Sequence, residues 1–180
     1  ALIGCGYWGT NIAKVLNKIK KNKIIIYDEN YSNAKTLKKR FSDKFVISKK
    51  LKYILKNEHI TNLLLATPPD KNFKLLKLCI QNKKNIFVEK PGLKTFSEIN
   101  KISKLKNKKI LMFGYIYLFH NCVKYIRKFI KDKKNGKLLY LSFQRQNLGP
   151  IRNDVSASYD LSSHDLSIIL FLFKKLPNKL

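Results

Sequence analysis

A lysine, a histidine–aspartate pair and a set of glycines are the residues in this chain whose spacing suits chemistry. Lys90 stands in Glu89-Lys90-Pro91, just past the apolar run Asn85 to Val88. A lysine beyond a strand end, followed by proline, is held in one direction. Its ammonium can hydrogen-bond a substrate hydroxyl and stabilise developing oxyanion character. The plain alternative is one more lysine among 38 basic residues, but Glu89 and Pro91 do not make a helix-surface composition. His164 opens an apolar, helix-like run and has Asp160 four positions earlier, so on a helix the two share a face. A carboxylate beside an imidazole orients it and favours its protonated form, which suits a general base near neutrality. The alternative is a capping or packing histidine. Asp165 reads as a cap or an orienting group, and His59 and His120 read as structural.

The glycines open the chain. Gly4, Gly6 and Gly9 fall at G-x-G-x-x-G between a short apolar run and a helical period from Thr10 to Ile19. At a strand–turn–helix junction, that spacing lets the backbone approach a pyrophosphate whose charge rests on the helix N-terminus. Tyr7 and Trp8 lie inside the loop and count among its cofactor contacts, whereas Cys5 has no catalytic role. Asp28 ends a second apolar run, 24 positions after Gly4. An acidic residue there suits the ribose hydroxyls of NAD and repels a 2′-phosphate, so NADP fits less well. Asp28 also reads as a turn residue beside Glu29-Asn30. Thr67 and Pro68 end another apolar run, and with Glu89 and Lys90 they complete the expected cofactor contacts.

Strands must carry these residues at their ends. Runs at about 23–28, 45–47, 63–66, 85–88 and 110–114 alternate with helical segments at 33–41, 51–56, 70–82 and 96–105. That alternation predicts a doubly wound parallel α/β sheet, the Rossmann arrangement, over residues 1–115. Beyond it the rhythm changes. A helix is expected over 118–130, a turn at Asn135-Gly136, a strand with alternating character over 138–144, a polar loop over 146–158 and a helix over 159–173. Residues 116–180 therefore read as the incomplete start of an α+β open-sheet domain. The opening residues read as a strand and not as a signal peptide, and the chain as a piece of a longer one.

Composition narrows the classes. The chain has 180 residues and is 44% hydrophobic, enough for a packed core, with no apolar run approaching a membrane span of about 18 residues. Cys5, Cys79 and Cys122 are odd in number and widely spaced, which argues against disulfides and zinc and suits a reducing cytoplasm. No metal site is expected. The formal charge of +27 would attract nucleic acid or an anionic membrane, but its lysines are scattered over every helix and no nucleic-acid motif accompanies them. The field is read as steering an anionic cofactor and substrate.

Ile3-Gly4-Cys5-Gly6-Tyr7-Trp8-Gly9, Ala66-Thr67-Pro68-Pro69, Glu89-Lys90-Pro91 and Asp160-Leu161-Ser162-Ser163-His164-Asp165 occur in the order and rough spacing of the Gfo/Idh/MocA oxidoreductases. The resemblance covers nearly the whole chain. It implies a Rossmann domain followed by a large open-sheet domain that also builds homo-oligomers. By this likeness Lys90 would contact the reacting hydroxyl, His164 would accept its proton, Asp160 would hold the substrate, and hydride would pass to the nicotinamide C4. The stretch from Arg145-Gln146-Asn147-Leu148-Gly149 to Arg152-Asn153-Asp154-Val155 resembles the sugar-nucleotide dehydrogenase branch, similar to enzymes that oxidise UDP-N-acetylated sugars for surface polysaccharides. Arg145 and Arg152 would then meet an anionic substrate; as loop residues they read equally well as surface arginines. Asn72 stands where the family often has histidine, Gly92 where an apolar residue is usual, His120-Asn121 for Asn-Pro, and Ser162-Ser163 for a Gly-Pro-like pair. A non-catalytic NAD-binding sensor of the same fold is the alternative to a dehydrogenase.

Overall fold

The computed structural model describes residues 1–19, 23–41, 43–106, 108–146 and 156–175. The chain divides into two compact units, Ala1–Gly114 and Tyr115–Leu180.

In the first unit, strands and helices alternate as β1 (Leu2–Ile3), α1 (Tyr7–Lys18), β2 (Ile24–Tyr27), α2 (Tyr31–Arg40), β3 (Phe45–Ile47), α3 (Leu51–Lys56), β4 (Asn62–Leu65), α4 (Pro69–Gln81), β5 (Asn85–Val88), α5 (Phe96–Ser103) and β6 (Leu111–Phe113). All the strand pairings are parallel, in the order β3-β2-β1-β4-β5-β6. This is the doubly wound Rossmann sheet. Its strand order reverses between β1 and β4, and the ligand crevice of such a sheet lies outside the carboxyl ends of that pair.

Strand alternation supplies two cores. Leu2 joins Ala13, Ile24, Ile26, Ala34, Leu37 and Phe45 on the face covered by α1 and α2. Its neighbour Ile3 points the other way, into a cluster with Leu63, Leu65, Leu76, Ile80, Val88 and Ile102 under α4 and α5. Strands buried on both faces read as unbroken apolar runs, which is why they are short and conspicuous in the sequence.

Helix ends follow local chemistry. Pro69 starts α4 where no N–H is needed. Thr95 and Glu98 form a reciprocal capping box at α5. Two lysines serve as C-terminal plugs. Lys44 Nζ donates to the carbonyls of Leu16, Asn17 and Ile19 at the end of α1. Lys84, only 4% exposed, donates to Asn57 and Ile60 beyond α3 at 2.6 and 2.7 Å. A cation at a helix C-terminus meets the negative end of the dipole.

The second unit contains a 3-10 turn (Ile116–Phe119), α6 (Asn121–Lys131), another 3-10 turn (Lys133–Asn135) and α7 (Ala157–Phe173). The single helix expected over 118–130 is thus broken at His120, whose Nδ1 caps α6 by accepting from Cys122 N–H at 3.2 Å. The strand expected over 138–144 does not form. Those residues carry no regular secondary structure and are exposed, with Leu139 86% and Tyr140 82% accessible. A strand exists only by pairing, and no strand among the described residues lies alongside. The loop expected over 146–158 falls mostly outside the described residues.

Candidate functional site

The glycine loop lies at the end of β1. Gly4 has φ +92°, and a Cβ there would run into the Ala66 carbonyl; a Cβ on Gly9 would strike the Gly4 carbonyl. Both positions therefore require glycine for close approach of backbone to backbone. Gly6 differs, because a Cβ there would meet no protein atom within 4 Å. That space adjoins the start of α1, which no side chain caps and whose first turn carries no acidic residue. Open N–H groups at a helix N-terminus, with room in front of them, make an anion seat. Tyr7 and Trp8 follow at the mouth, both exposed, their rings edge to face at 5.7 Å.

Asp28 closes the neighbouring end of β2. Its carboxylate accepts from Cys5 N–H at 2.7 Å, Asn30 N–H at 2.8 Å and Asn33 Nδ2 at 3.3 Å. The two sequence readings of Asp28 are therefore compatible, since it shapes the turn, ties the glycine loop to β2 and still keeps acceptor capacity on Oδ2. Cys5 lies beneath, and burial followed by the charge of Asp28 pushes its thiol up to about 12, leaving it inert. Next to Asp28, Glu29 forms an exposed ion pair with Lys71 of α4.

Thr67 and Pro68 lead from β4 into α4, and Glu89 and Lys90 lead out of β5. Asn72 joins these two loops. Buried at 1% exposure, it accepts from Thr67 Oγ1 at 2.5 Å and donates through Nδ2 to the Gly92 carbonyl at 2.8 Å. Lys90 is half-buried and followed by a cis peptide to Pro91. Desolvation holds the Glu89 carboxyl above the usual carboxylate range, against the opposing effects of the Lys90 backbone and charge. Gly92 has φ +83°, and a Cβ there would enter the Phe113 ring.

In the second unit His164, 7% exposed, lies in an aromatic corner, edge-on to Tyr117 at 4.8 Å and to Tyr115 at 6.3 Å. Asp160 lies one turn before it on α7. Burial, then the neighbouring Tyr159, raises the Tyr115 hydroxyl above its ordinary pKa. Arg145 forks onto Asp165. Its Nε donates to both carboxylate oxygens at 3.1 Å and Nη2 to Oδ1 at 2.5 Å, and its guanidinium stands 5.4 Å from the centre of the Tyr117 ring. Arg152 lies outside the described residues.

The first unit thus gathers Gly4, Gly6, Gly9, Asp28, Thr67 and Pro68 at the carboxyl ends of β1, β2 and β4, with Glu89 and Lys90 at the end of β5. The second places Asp160 and His164 on one helix. Sequence reasoning missed Asn72 as a bridge and Asp165 as the partner of Arg145. Asn72 gave a signal, as a departure from histidine; the Arg145–Asp165 pair gave none. No group of three His, Cys, Asp or Glu among the described residues could hold a metal ion.

Comparison with known proteins agrees with this geometry. The model of the oxidoreductase family with an NAD-binding Rossmann fold, Gfo/Idh/MocA, matches residues 1–117. The 2,7-anhydro-N-acetylneuraminate hydratase of Escherichia coli is 26% identical over 141 residues, which is 77% of this chain and 37% of that protein. A putative myo-inositol dehydrogenase from Sinorhizobium meliloti shares the fold, with a TM-score of 0.83 at 21% identity over 98% of this chain and 55% of the other. So does GenD2 from gentamicin A biosynthesis, solved in complex with NAD, with a TM-score of 0.79 at 16% identity over 95% and 52% of the two chains. This chain spans between about a third and a half of the length of the curated relatives it matches. With its glycine loop, strand order and family match in agreement, the chain belongs to the Gfo/Idh/MocA oxidoreductase family.

Proposed function

We propose that the complete protein is an NAD-dependent oxidoreductase that oxidises a secondary hydroxyl of a sugar or sugar nucleotide, of the UDP-N-acetylated type. The observation that carries the cofactor reading is the uncapped start of α1 opening onto the space at Gly6, beside Asp28. The backbone N–H groups of α1 would hold the pyrophosphate, and Asp28 would accept from the adenosine ribose and disfavour a 2′-phosphate. Bound NAD supplies a hydride acceptor at the nicotinamide C4.

The remaining roles belong to side chains. Lys90 donates to the reacting hydroxyl oxygen and favours its alkoxide character. His164 takes the hydroxyl proton, and Asp160 holds the substrate. Arg152 contacts the anionic part of the substrate. Arg145 orients α7 through Asp165, a role its contacts support better than a direct substrate contact. The second unit is proposed as the start of the substrate and oligomerisation domain. Cys5, Cys79 and Cys122 are free thiols, which supports work in a reducing cytoplasm. No helix among the described residues is long and apolar enough to cross a membrane.

A second reading follows from the name of the Escherichia coli relative, a hydratase. An NAD-binding enzyme with a net hydration would return the hydride within each turnover, and no NADH would accumulate. The test is to incubate the complete protein with NAD and a panel of UDP-sugars and acidic N-acetylated sugars, following both NADH absorbance and product mass. Lys90→Ala should lower turnover roughly a hundredfold or more while leaving NAD binding intact. Collapse of NAD affinity in that variant would refute the assignment of Lys90.

A further inference from the structure

We propose that Asn72 is a positioning residue for Lys90, acting as a cross-tie between the β4–α4 loop and the Lys90-Pro91-Gly92 loop. The inference rests on the role given to Lys90 under Proposed function. Strands β4 and β5 run in register up to Leu65 opposite Val88, and Glu89 N–H adds one rung to the Leu65 carbonyl at 3.0 Å. Past that rung both loops leave the sheet, and Asn72 bridges them. Thr67 lies two residues beyond the end of β4, and Gly92 lies two residues beyond Lys90.

The chemistry of the bridge is specific. The Gly92 carbonyl can only accept, so the amide nitrogen of Asn72 faces it and the amide oxygen is left to accept from Thr67. One planar group must donate to the carbonyl on one side and meet the Thr67 hydroxyl on the other while buried at 1% exposure. Leucine would satisfy neither partner. A neutral imidazole satisfies both with its two nitrogens. Gly92 adds a reason why the tie matters at this point. The Phe113 ring stands where a Cβ would lie, so no side chain of residue 92 anchors the loop, and the Asn72 bond to its carbonyl holds the backbone two residues beyond Lys90.

The test uses the complete protein. Asn72→Leu should lower kcat roughly tenfold to a hundredfold, in line with a lost buried hydrogen bond and a misplaced reacting group. The NAD dissociation constant should stay within about twofold of wild type. The Gly92 carbonyl carbon, which accepts the Asn72 bond, should change its NMR shift in Asn72→Leu, while amide exchange in β4 and β5 stays unchanged. Asn72→His should restore turnover at pH 8 and return the Gly92 carbonyl shift toward wild type. Three results would overturn the proposal: unchanged kcat and an unchanged Gly92 carbonyl shift in Asn72→Leu, a uniform rise of exchange across the sheet, or no rescue by histidine at pH 8. Absence of wild-type turnover on every sugar tested would sink the proposed reaction, but the Gly92 carbonyl shift would still report the tie.

Discussion

Replacing Asp28 separates its two roles. In Asp28→Ala, the Cys5 and Asn30 N–H groups lose charge-assisted bonds of 2.7 and 2.8 Å. Bonds to a charged group contribute about 1.5–3 kcal/mol each. The Asn30 amide is exposed and water replaces its partner, so most of the loss falls on the part-buried Cys5 amide. The combined cost is about 2–3 kcal/mol, which at roughly 2–4 °C per kcal/mol lowers Tm by roughly 4–12 °C. This loss appears without cofactor, because it comes from the glycine loop coming loose from β2. A second effect appears on titration. Without an acceptor for the ribose hydroxyls, NAD should bind roughly tenfold to a hundredfold more weakly, and NADP should gain relative to NAD because the repelling charge has gone. Thermal melts of the cofactor-free protein and calorimetric titrations with both nucleotides measure the two effects separately. Asp28→Asn provides the control. It keeps the size of the side chain but turns one acceptor into a donor facing N–H groups, and should show both effects in reduced form. An unchanged NAD-to-NADP ratio would place the ribose contact elsewhere. An unchanged Tm would show that the loop does not depend on this carboxylate.

Glu89→Gln should stabilise the protein at neutral pH. The folded-state carboxyl is held above its ordinary range by desolvation, so its contribution to stability is complete below the unfolded value near 4.3 and is lost as pH rises through the folded one. Melts at pH 7 should favour the glutamine variant and melts near pH 4 should coincide; a variant less stable at pH 7 refutes this. The Arg145–Asp165 pair is bidentate, with side-chain exposures of 26% and 18%. A double-mutant cycle with Arg145→Ala and Asp165→Ala should give a coupling of about 1–3 kcal/mol, and strict additivity would show that the fork contributes nothing.

What could be read from the sequence was what depends on neighbours in the chain. The spacing of Gly4, Gly6 and Gly9, the apolar strands and the acidic end of β2 each declare themselves within a few residues, because a strand buried on both faces leaves no polar residue to blur it. The helix before residue 131 was misread because its apolar period runs on through His120, which supplies the cap that breaks it. The alternation over 138–144 satisfies the strand pattern, but pattern alone cannot provide a partner strand. The bridges escaped for another reason. Asn72 meets Gly92 across 20 positions and Arg145 meets Asp165 across 20, and nothing local marks either pair. A Cβ at Gly92 would enter the ring of Phe113, 21 positions on, a contact that no local pattern announces.

The lysine plugs at the ends of α1 and α3 bear on how this protein can be re-engineered. A chain at +27 invites wholesale replacement of lysine by glutamate, to make it behave better on columns or in crystallisation drops. Most positions would tolerate that exchange, but Lys44 and Lys84 each close a helix by filling carbonyl oxygens. A carboxylate there would face oxygen with oxygen, so a charge-balancing redesign should spare these two positions.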